Sequence, residues 1–144
     1  MTNLDQLKPE EIEIIDGSEI LWRACGTHAF VDGQPHHSMF RLSSFDHGCL
    51  SVSQGSVRSP DSVIAQRESL GKKCVGVGGV TLAEANSLKL RVIDDSQVQT
   101  AEGKRKGHAY LDLRPYQDDK TQKRYLQMEL LTFATTADRF IPKG

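Results

Sequence analysis

The segment CLSVSQGSVRSPDSVIAQRESLG, from Cys49 to Gly71, decides the fold class. Its beginning, CLSVS, is a candidate strand. The second half carries the signature of a helix, because Ser59 can cap it, Pro60 takes the first helical position and Gly71 ends it. A short strand that leads into a capped helix is a unit of a mixed α and β architecture.

The residues after this segment predict further short elements. Thr81 and Glu84 have the spacing of a capping box, which predicts a short helix. The polar stretch 95–107 has no apolar period and is expected to be a loop. For the tail 118–134, apolar residues at helical spacing favour a helix over a strand. Further strands are predicted at CVGVGGVT (74–81), LKLRVID (88–94) and HAYLDL (108–113).

The residues before the segment also predict short strands and turns. One or two strands are expected in SEILWRACGTHAFV (18–31), followed by a turn at DGQP (32–35). SMFRL (38–42) is a further strand candidate, SSFDHG (43–48) has the composition of a turn, and Pro9 can start a short helix. The chain is therefore expected to be one α+β domain, residues 1–144. We predict five or six short strands in a mostly antiparallel sheet, continuous or split, with two or three helices.

Charge and composition limit the function classes. The chain has 18 Lys and Arg against 19 Asp and Glu, a net charge of −1, which argues against broad nonspecific binding to nucleic acid or to an anionic membrane. No apolar run approaches the length of a membrane span. The acidic N-terminal residues lack the layout of a signal peptide, and three widely spaced cysteines do not form a disulfide framework. We therefore expect a reduced, cytoplasmic protein.

Four of the five histidines lie between His28 and His47, flanked by Cys25 and Cys49. Zinc needs three or four such ligands, but these spacings match no known zinc module. A zinc-stabilised module is therefore a third hypothesis for this chain, after the two given at the end of this section. We expect no metal, and free thiols at Cys25, Cys49 and Cys74. The GVGGV run lacks the spacing and position of a dinucleotide-binding loop and predicts a buried strand instead.

The candidate site is a cleft for a phosphate-bearing ligand. Arg23 lies in an early predicted strand, and a buried Arg requires an anion. Ser51 and Ser53, followed by a helix N-terminus, offer hydroxyl and N–H donors to the same anion. Arg41 and His108 would add donors, and we expect Arg23 and Ser51 on neighbouring strands with side chains on one face. In the simpler alternative, Arg23 forms a structural ion pair and Ser59 only caps a helix.

The pattern from Arg23 through FRLSSFDHGCLSVS (40–53) to SPDSVIAQRE (59–68) resembles the ADP-ribosyltransferase-like fold, especially the compact RES-type NAD-degrading toxin domains. The resemblance implies NAD as the cofactor. It also implies roles for single residues: Arg23, Arg41 and Ser53 bind the cofactor, Ser51 orients a ribose, and His37 or His108 contacts the base or the reacting sugar.

The catalytic Glu of that family has no secure counterpart here. Glu68 on the predicted helix is the candidate, with Glu102 and Glu129 as substitutes, and without a carboxylate the developing charge of NAD cleavage lacks its partner. The leading hypothesis is a small NAD-related domain that binds a nucleotide pyrophosphate and cleaves NAD or transfers ADP-ribose. The alternative is a non-enzymatic immunity, antitoxin or regulatory domain of a bacterial conflict operon, whose partner is a protein.

Overall fold

A seven-stranded antiparallel sheet organises the structure, a computed structural model that describes residues 7–42, 47–136 and 138–144. The strands are β1 (Ile12–Glu13), β2 (Ile20–Cys25), β3 (Phe30–Val31), β4 (Gln34–Pro35), β5 (Cys49–Gln54), β6 (Gly76–Thr81), β7 (Val92–Asp94), β8 (His108–Asp112) and β9 (Phe140–Pro142). The helices are α1 (Pro60–Ser69), α2 (Leu82–Ser87) and α3 (Lys120–Thr135). Single 3-10 turns lie at Thr27–Ala29, His37–Phe40 and Arg114–Tyr116.

The strand order of the main sheet is β1-β7-β8-β5-β2-β6-β9, and β3 and β4 form a separate hairpin. Every pair of described strands is antiparallel, so the α+β class with a mostly antiparallel sheet is confirmed. The described residues contain more strands than expected, because β1, β4 and β9, which have only two or three residues each, were not predicted. Such short strands are too short for an alternating pattern to be recognised.

Local capping signals predicted the helices well. The Ser59 side chain accepts a hydrogen bond from the Ser62 N–H at the start of α1, and Thr81 and Glu84 form a complete capping box at α2. The tail forms α3, which confirms helix over strand for this segment.

Two local predictions were wrong. The 38–42 segment forms no strand, because the chain enters a 3-10 turn at His37–Phe40, where the His36 ring nitrogen accepts a hydrogen bond from the Ser38 N–H. The residues at Pro9 form a turn before β1 and no helix, with the Lys8 N–H bonded to the Glu11 carboxylate. Both segments use side-chain to backbone hydrogen bonds that compete with regular structure.

The two faces of the sheet carry different helices. We call the face of Leu21, Leu50 and Leu111 the α3 face, since these residues form the larger core cluster together with Leu126 and Leu130 of α3. The opposite face, named the α1 face, buries a smaller cluster against that helix. Its buried members are Trp22, Val63, Ile64, Cys74 and Val77.

One glycine of the glycine-rich strand β6, Gly79, is required by the packing of Trp22. It lies opposite Trp22 of β2, and a Cβ atom at Gly79 would lie 2.6 Å from Cζ3 of the indole ring. Only glycine therefore allows the Trp22 ring to lie flat across the strand, which agrees with the prediction of a buried, closely packed strand.

We expect Gly79→Ala to lower the free energy of unfolding by about 1–3 kcal/mol, because the added methyl group overpacks the α1 face. Gly17→Ala is the control, since the nearest atom to its new Cβ would be the Ala83 Cβ at 3.7 Å. The control should change stability by less than about 0.5 kcal/mol. Urea unfolding followed by circular dichroism measures both variants, and an equal effect of the two would contradict the packing argument.

Candidate functional site

The site begins where β2 and β5 separate. Only two residue pairs, Leu21 with Gln54 and Trp22 with Ser53, join these central strands, whereas β2 forms six pairs with β6 on its other side. Beyond Trp22, a gap therefore opens between the second half of β2 and the first half of β5. A gap within a sheet exposes backbone groups that need other partners.

The Arg23 guanidinium spans this gap. Its Nε donates to the Met39 carbonyl at 2.5 Å, and its Nη1 donates to the Ser51 carbonyl at 2.6 Å. The sequence predicted that a buried Arg23 requires an anion, but the contacts seen here include two backbone carbonyl oxygens. The sequence could not identify these two partners, because every residue has a backbone carbonyl group.

Arg23 and Ser51 lie on neighbouring strands, as predicted, but their side chains do not share a face. Ser53 lies opposite Trp22, so the pleat directs Ser51 and Ser53 to the α1 face and Arg23 to the α3 face. Arg23 still lines a cavity together with both serines, because the gap is open between the two faces.

This cavity, which we name the strand–helix cleft, has a volume of about 190 Å³ between the gap and α1. The cleft brings together four residues of the sequence prediction, namely Arg23, Ser51, Ser53 and His108. Its other lining residues are Trp22, Ala24, Val52, Val63, Gln66, Arg67, Leu70 and Lys72.

Helix α1 presents its side to this cleft, and its N-terminus lies elsewhere. Val63, Gln66, Arg67 and Leu70 follow the spacing of one helical stripe, whereas Ser59 and Pro60 line a different cavity. The expectation that a helix N-terminus and the serines share one anion was therefore wrong. The positive charge of the cleft comes from side chains.

His108 is held in place from behind the cleft. Its Nδ1 lies 2.6 Å from Oδ1 of Asp95, a buried carboxylate that also forms an ion pair with Arg105 at 2.9 Å. Because the carboxylate needs a donor, the neutral ring carries its proton on Nδ1 and leaves Nε2 as an acceptor. Ser53 lies directly opposite His108 in the β5–β8 ladder, so a hydroxyl and an imidazole adjoin at one end of the cleft.

Two more cavities are linked to the cleft by shared lining residues. The Arg41 cavity, of about 540 Å³, shares Arg23, Ala24 and Arg67 with it. The α3 cavity, of about 570 Å³, shares Ser38 and Arg41 with the Arg41 cavity. We call the three together the basic groove.

His37 and Arg41, both predicted site residues, lie in the outer part of this groove. Burial, reinforced by His36 and Arg124, lowers the pKa of His37, while a contact with Gln127 opposes this shift. The ring is therefore neutral at pH 7, and Arg124 Nη1 lies 3.1 Å from its Nε2, which accepts. His37 is not brought into the strand–helix cleft.

The candidate glutamates lie outside the groove. Glu68 is exposed on α1 and forms an ion pair with Lys143. Glu102 lies in an exposed loop within hydrogen-bond distance of Thr100, and Glu129 lies on α3. None of the three lines any of the three cavities as the structure describes them.

The groove is rich in cations. Its described lining holds seven of the 18 Lys and Arg residues and no Asp or Glu. Five other cations of the described chain form ion pairs with carboxylates outside this lining. These paired cations are Arg91, Arg105, Arg114, Arg139 and Lys143. The separation concentrates positive potential along the groove.

The cysteines are free thiols, and no group of three or more potential metal ligands occurs among the described residues. Burial raises the pKa of Cys25 and of Cys49 to about 11, which keeps both protonated at neutral pH. Within the same residues, no helix is long and apolar enough to cross a bilayer. The predicted turn at 43–48 falls partly on residues 43–46, which lie outside the described chain.

Sequence reasoning missed most cations of the groove and also Asp95. The missed lining cations are Arg67, Lys72, Lys120, Lys123 and Arg124. The helical spacing of Val63, Arg67 and Leu70 was a usable signal, since it marks one face of α1 next to the predicted cleft. For the α3 residues there was no signal, because only tertiary packing places α3 beside the 3-10 turn at His37–Phe40.

Comparisons of this chain with protein-family models, with curated protein sequences and with solved structures found no match.

We expect Arg23→Ala to lower the free energy of unfolding by about 1–3 kcal/mol, since it leaves the Met39 and Ser51 carbonyls without a donor. Arg23→Lys should recover only part of this loss, because one ammonium group cannot reach two carbonyls as a planar guanidinium does. Chemical denaturation of the three proteins tests this. Equal stability of the wild type and Arg23→Ala would show that the gap needs no bridge.

We expect Asp95→Asn to change the tautomer of His108. In the wild type the neutral ring donates from Nδ1, whereas the amide group of Asn favours the Nε2–H form. Nitrogen-15 NMR of the imidazole rings distinguishes the two forms. His28, which is exposed, is the internal control, and an unchanged His108 signal would show that Asp95 does not orient the ring.

Proposed function

We propose that this chain is a nucleotide-binding domain that holds the pyrophosphate of an NAD-type ligand across the strand–helix cleft and the Arg41 cavity. One observation carries the proposal: two cavities that share lining residues and together present the cations Arg41, Arg67 and Lys72. Clustered cations repel one another, and a doubly charged anion compensates them.

The size of the cavities supports a ligand that spans both. The strand–helix cleft, at about 190 Å³, is smaller than an ordinary small-molecule pocket of roughly 300–1,000 Å³ and suits a ribose or a phosphate. The adjoining Arg41 cavity, at about 540 Å³, falls within that range. Arg67 lines both, which places it where a pyrophosphate would join the two halves of a dinucleotide.

Arg67 has the properties of a phosphate ligand. Its Nε is buried without a hydrogen-bond partner, and no described carboxylate pairs with it. Its Nη2 would lie 3.0 Å from a Cβ atom at Gly26, so the glycine gives the guanidinium room to reach the Arg41 cavity. A guanidinium can donate two parallel hydrogen bonds to phosphate oxygens.

Ser51, Ser53 and His108 complete the site at the sheet end of the cleft. The hydroxyl groups of the two serines suit the hydroxyls of a ribose, and the His108 ring lies beside them with its Nε2 3.5 Å from Nη1 of Arg105. NAD cleavage needs in addition a carboxylate beside the developing positive charge. Since Glu68, Glu102 and Glu129 lie outside the described groove, the proposed function is binding, with NAD as the ligand that the family resemblance suggests.

Calorimetric titration of ADP-ribose and NAD tests the proposal. We expect Arg67→Ala to weaken binding about 10- to 100-fold, the usual effect of losing a charge-assisted hydrogen bond, and Arg67→Lys to recover part of it. Lys72→Ala should weaken binding, whereas Lys73→Ala, an identical change one residue away but outside the cleft, should not.

Melting temperatures of the variants without ligand provide the folding control. If neither compound binds the wild type at roughly millimolar concentration, the nucleotide proposal is wrong. Equal losses from Lys72→Ala and Lys73→Ala would place the ligand outside the cleft. Either result would leave the protein-binding alternative as the hypothesis to test.

A further inference from the structure

The α3 cavity holds positive charge that the proposed nucleotide would not reach. It is lined by Lys120, Lys123 and Arg124 of α3 and by Arg41, with no carboxylate in its described lining. None of these four cations forms an ion pair with any carboxylate that the structure describes. A ligand in the other two cavities therefore leaves a cationic compartment of about 570 Å³ uncompensated.

The α3 cavity continues the path of the proposed nucleotide site. Arg41 and Ser38 line both it and the Arg41 cavity, and Arg67 links the latter to the strand–helix cleft. A chain-like ligand that follows these shared residues would contact Lys72 at one end and Lys120 at the other. A series of cations along such a path matches a ligand with a series of negative charges.

The other lining groups distinguish among polyanions. The His36 and His37 rings lie with their centroids 4.0 Å apart at the wall of the α3 cavity. Imidazole rings are flat surfaces on which unpaired bases stack, and Ser38 adds a hydroxyl group that can contact a phosphate. Cations, rings and hydroxyls together suit a single-stranded nucleic acid better than an acidic peptide, which has no planar groups along its length.

The concave shape also favours a single strand over a duplex. Proteins read a duplex with helices or strands that protrude into its grooves, whereas single strands lie in positively charged grooves. The net charge of −1 is compatible with this, because the attraction depends on cations near the phosphates and not on the total. The expectation against broad nonspecific binding concerned the whole surface, while the groove is one local feature.

We propose that the basic groove binds a single-stranded nucleic acid, with one nucleotide at the strand–helix cleft and further phosphates along Arg41, Arg124, Lys123 and Lys120. The proposal extends the proposed function at the cleft, but the α3 cavity is tested separately. RNA and DNA share this chemistry, and the probes distinguish them.

Fluorescence anisotropy with labelled uridylate and thymidylate dodecamers and with a triuridylate tests the proposal. We expect the dodecamer to bind at least about tenfold more tightly than the trimer, because more phosphates release counterions. The double variant Lys120→Ala/Lys123→Ala should weaken dodecamer binding about tenfold and leave ADP-ribose binding unchanged. Its logarithmic salt slope should become shallower by about 1.4, since each single-strand phosphate contact contributes about 0.7.

The matched control is Lys104→Ala/Lys106→Ala, which removes two exposed lysines from the loop outside the groove. It should leave dodecamer binding unchanged. Equal losses from both double variants, or equal affinity for trimer and dodecamer, would overturn the proposal even if ADP-ribose binds. Competition by polyglutamate as effective as that by the dodecamer would also overturn it and would point to an acidic protein partner.

Discussion

The bridge made by Arg23 is the contact on which the arrangement of the site depends. β2 and β5 lie at the centre of the sheet, yet only two residue pairs join them. The guanidinium bonds to the Ser51 carbonyl, which the short ladder leaves without a partner in β2, and to the Met39 carbonyl of the adjacent 3-10 turn. Because the strands stay apart, a cleft reaches into the sheet from the α1 face, and the 3-10 turn that contains Met39 is held beside it.

The distribution of charge follows from this arrangement. Outside the groove, four arginines pair with carboxylates of the described chain. Asp112, for example, accepts from Arg114 and Arg91, and these bonds outweigh the effect of burial and lower its pKa. Inside the groove, the described lining has cations and no carboxylates. A chain with nearly equal numbers of acids and bases therefore has seven cations in the described lining of one groove, which the net charge does not show.

Much of the fold could be predicted from local signals. Ser59 and Pro60 marked the start of α1, Thr81 and Glu84 that of α2, and alternation marked β7 and β8. For the site, the prediction placed Arg23, Ser51, Ser53 and His108 together correctly, because all four lie on strands with recognisable patterns. It failed for Glu68, His37 and Arg41, whose positions depend on the face of α1, on the packing of α3 and on the 3-10 turn at His37–Phe40.

The sequence by itself determined the α+β class, the caps of the helices and the strands that carry the polar residues, since these depend on neighbours within a few positions. The tertiary structure alone decided the strand register, the gap bridged by Arg23 and the meeting of α1, the 3-10 turn at His37–Phe40 and α3 around one groove. These depend on contacts between residues far apart in the chain. A shift of one residue in register reverses every side chain of a strand, and no local pattern at Arg23 or Ser51 specifies that register.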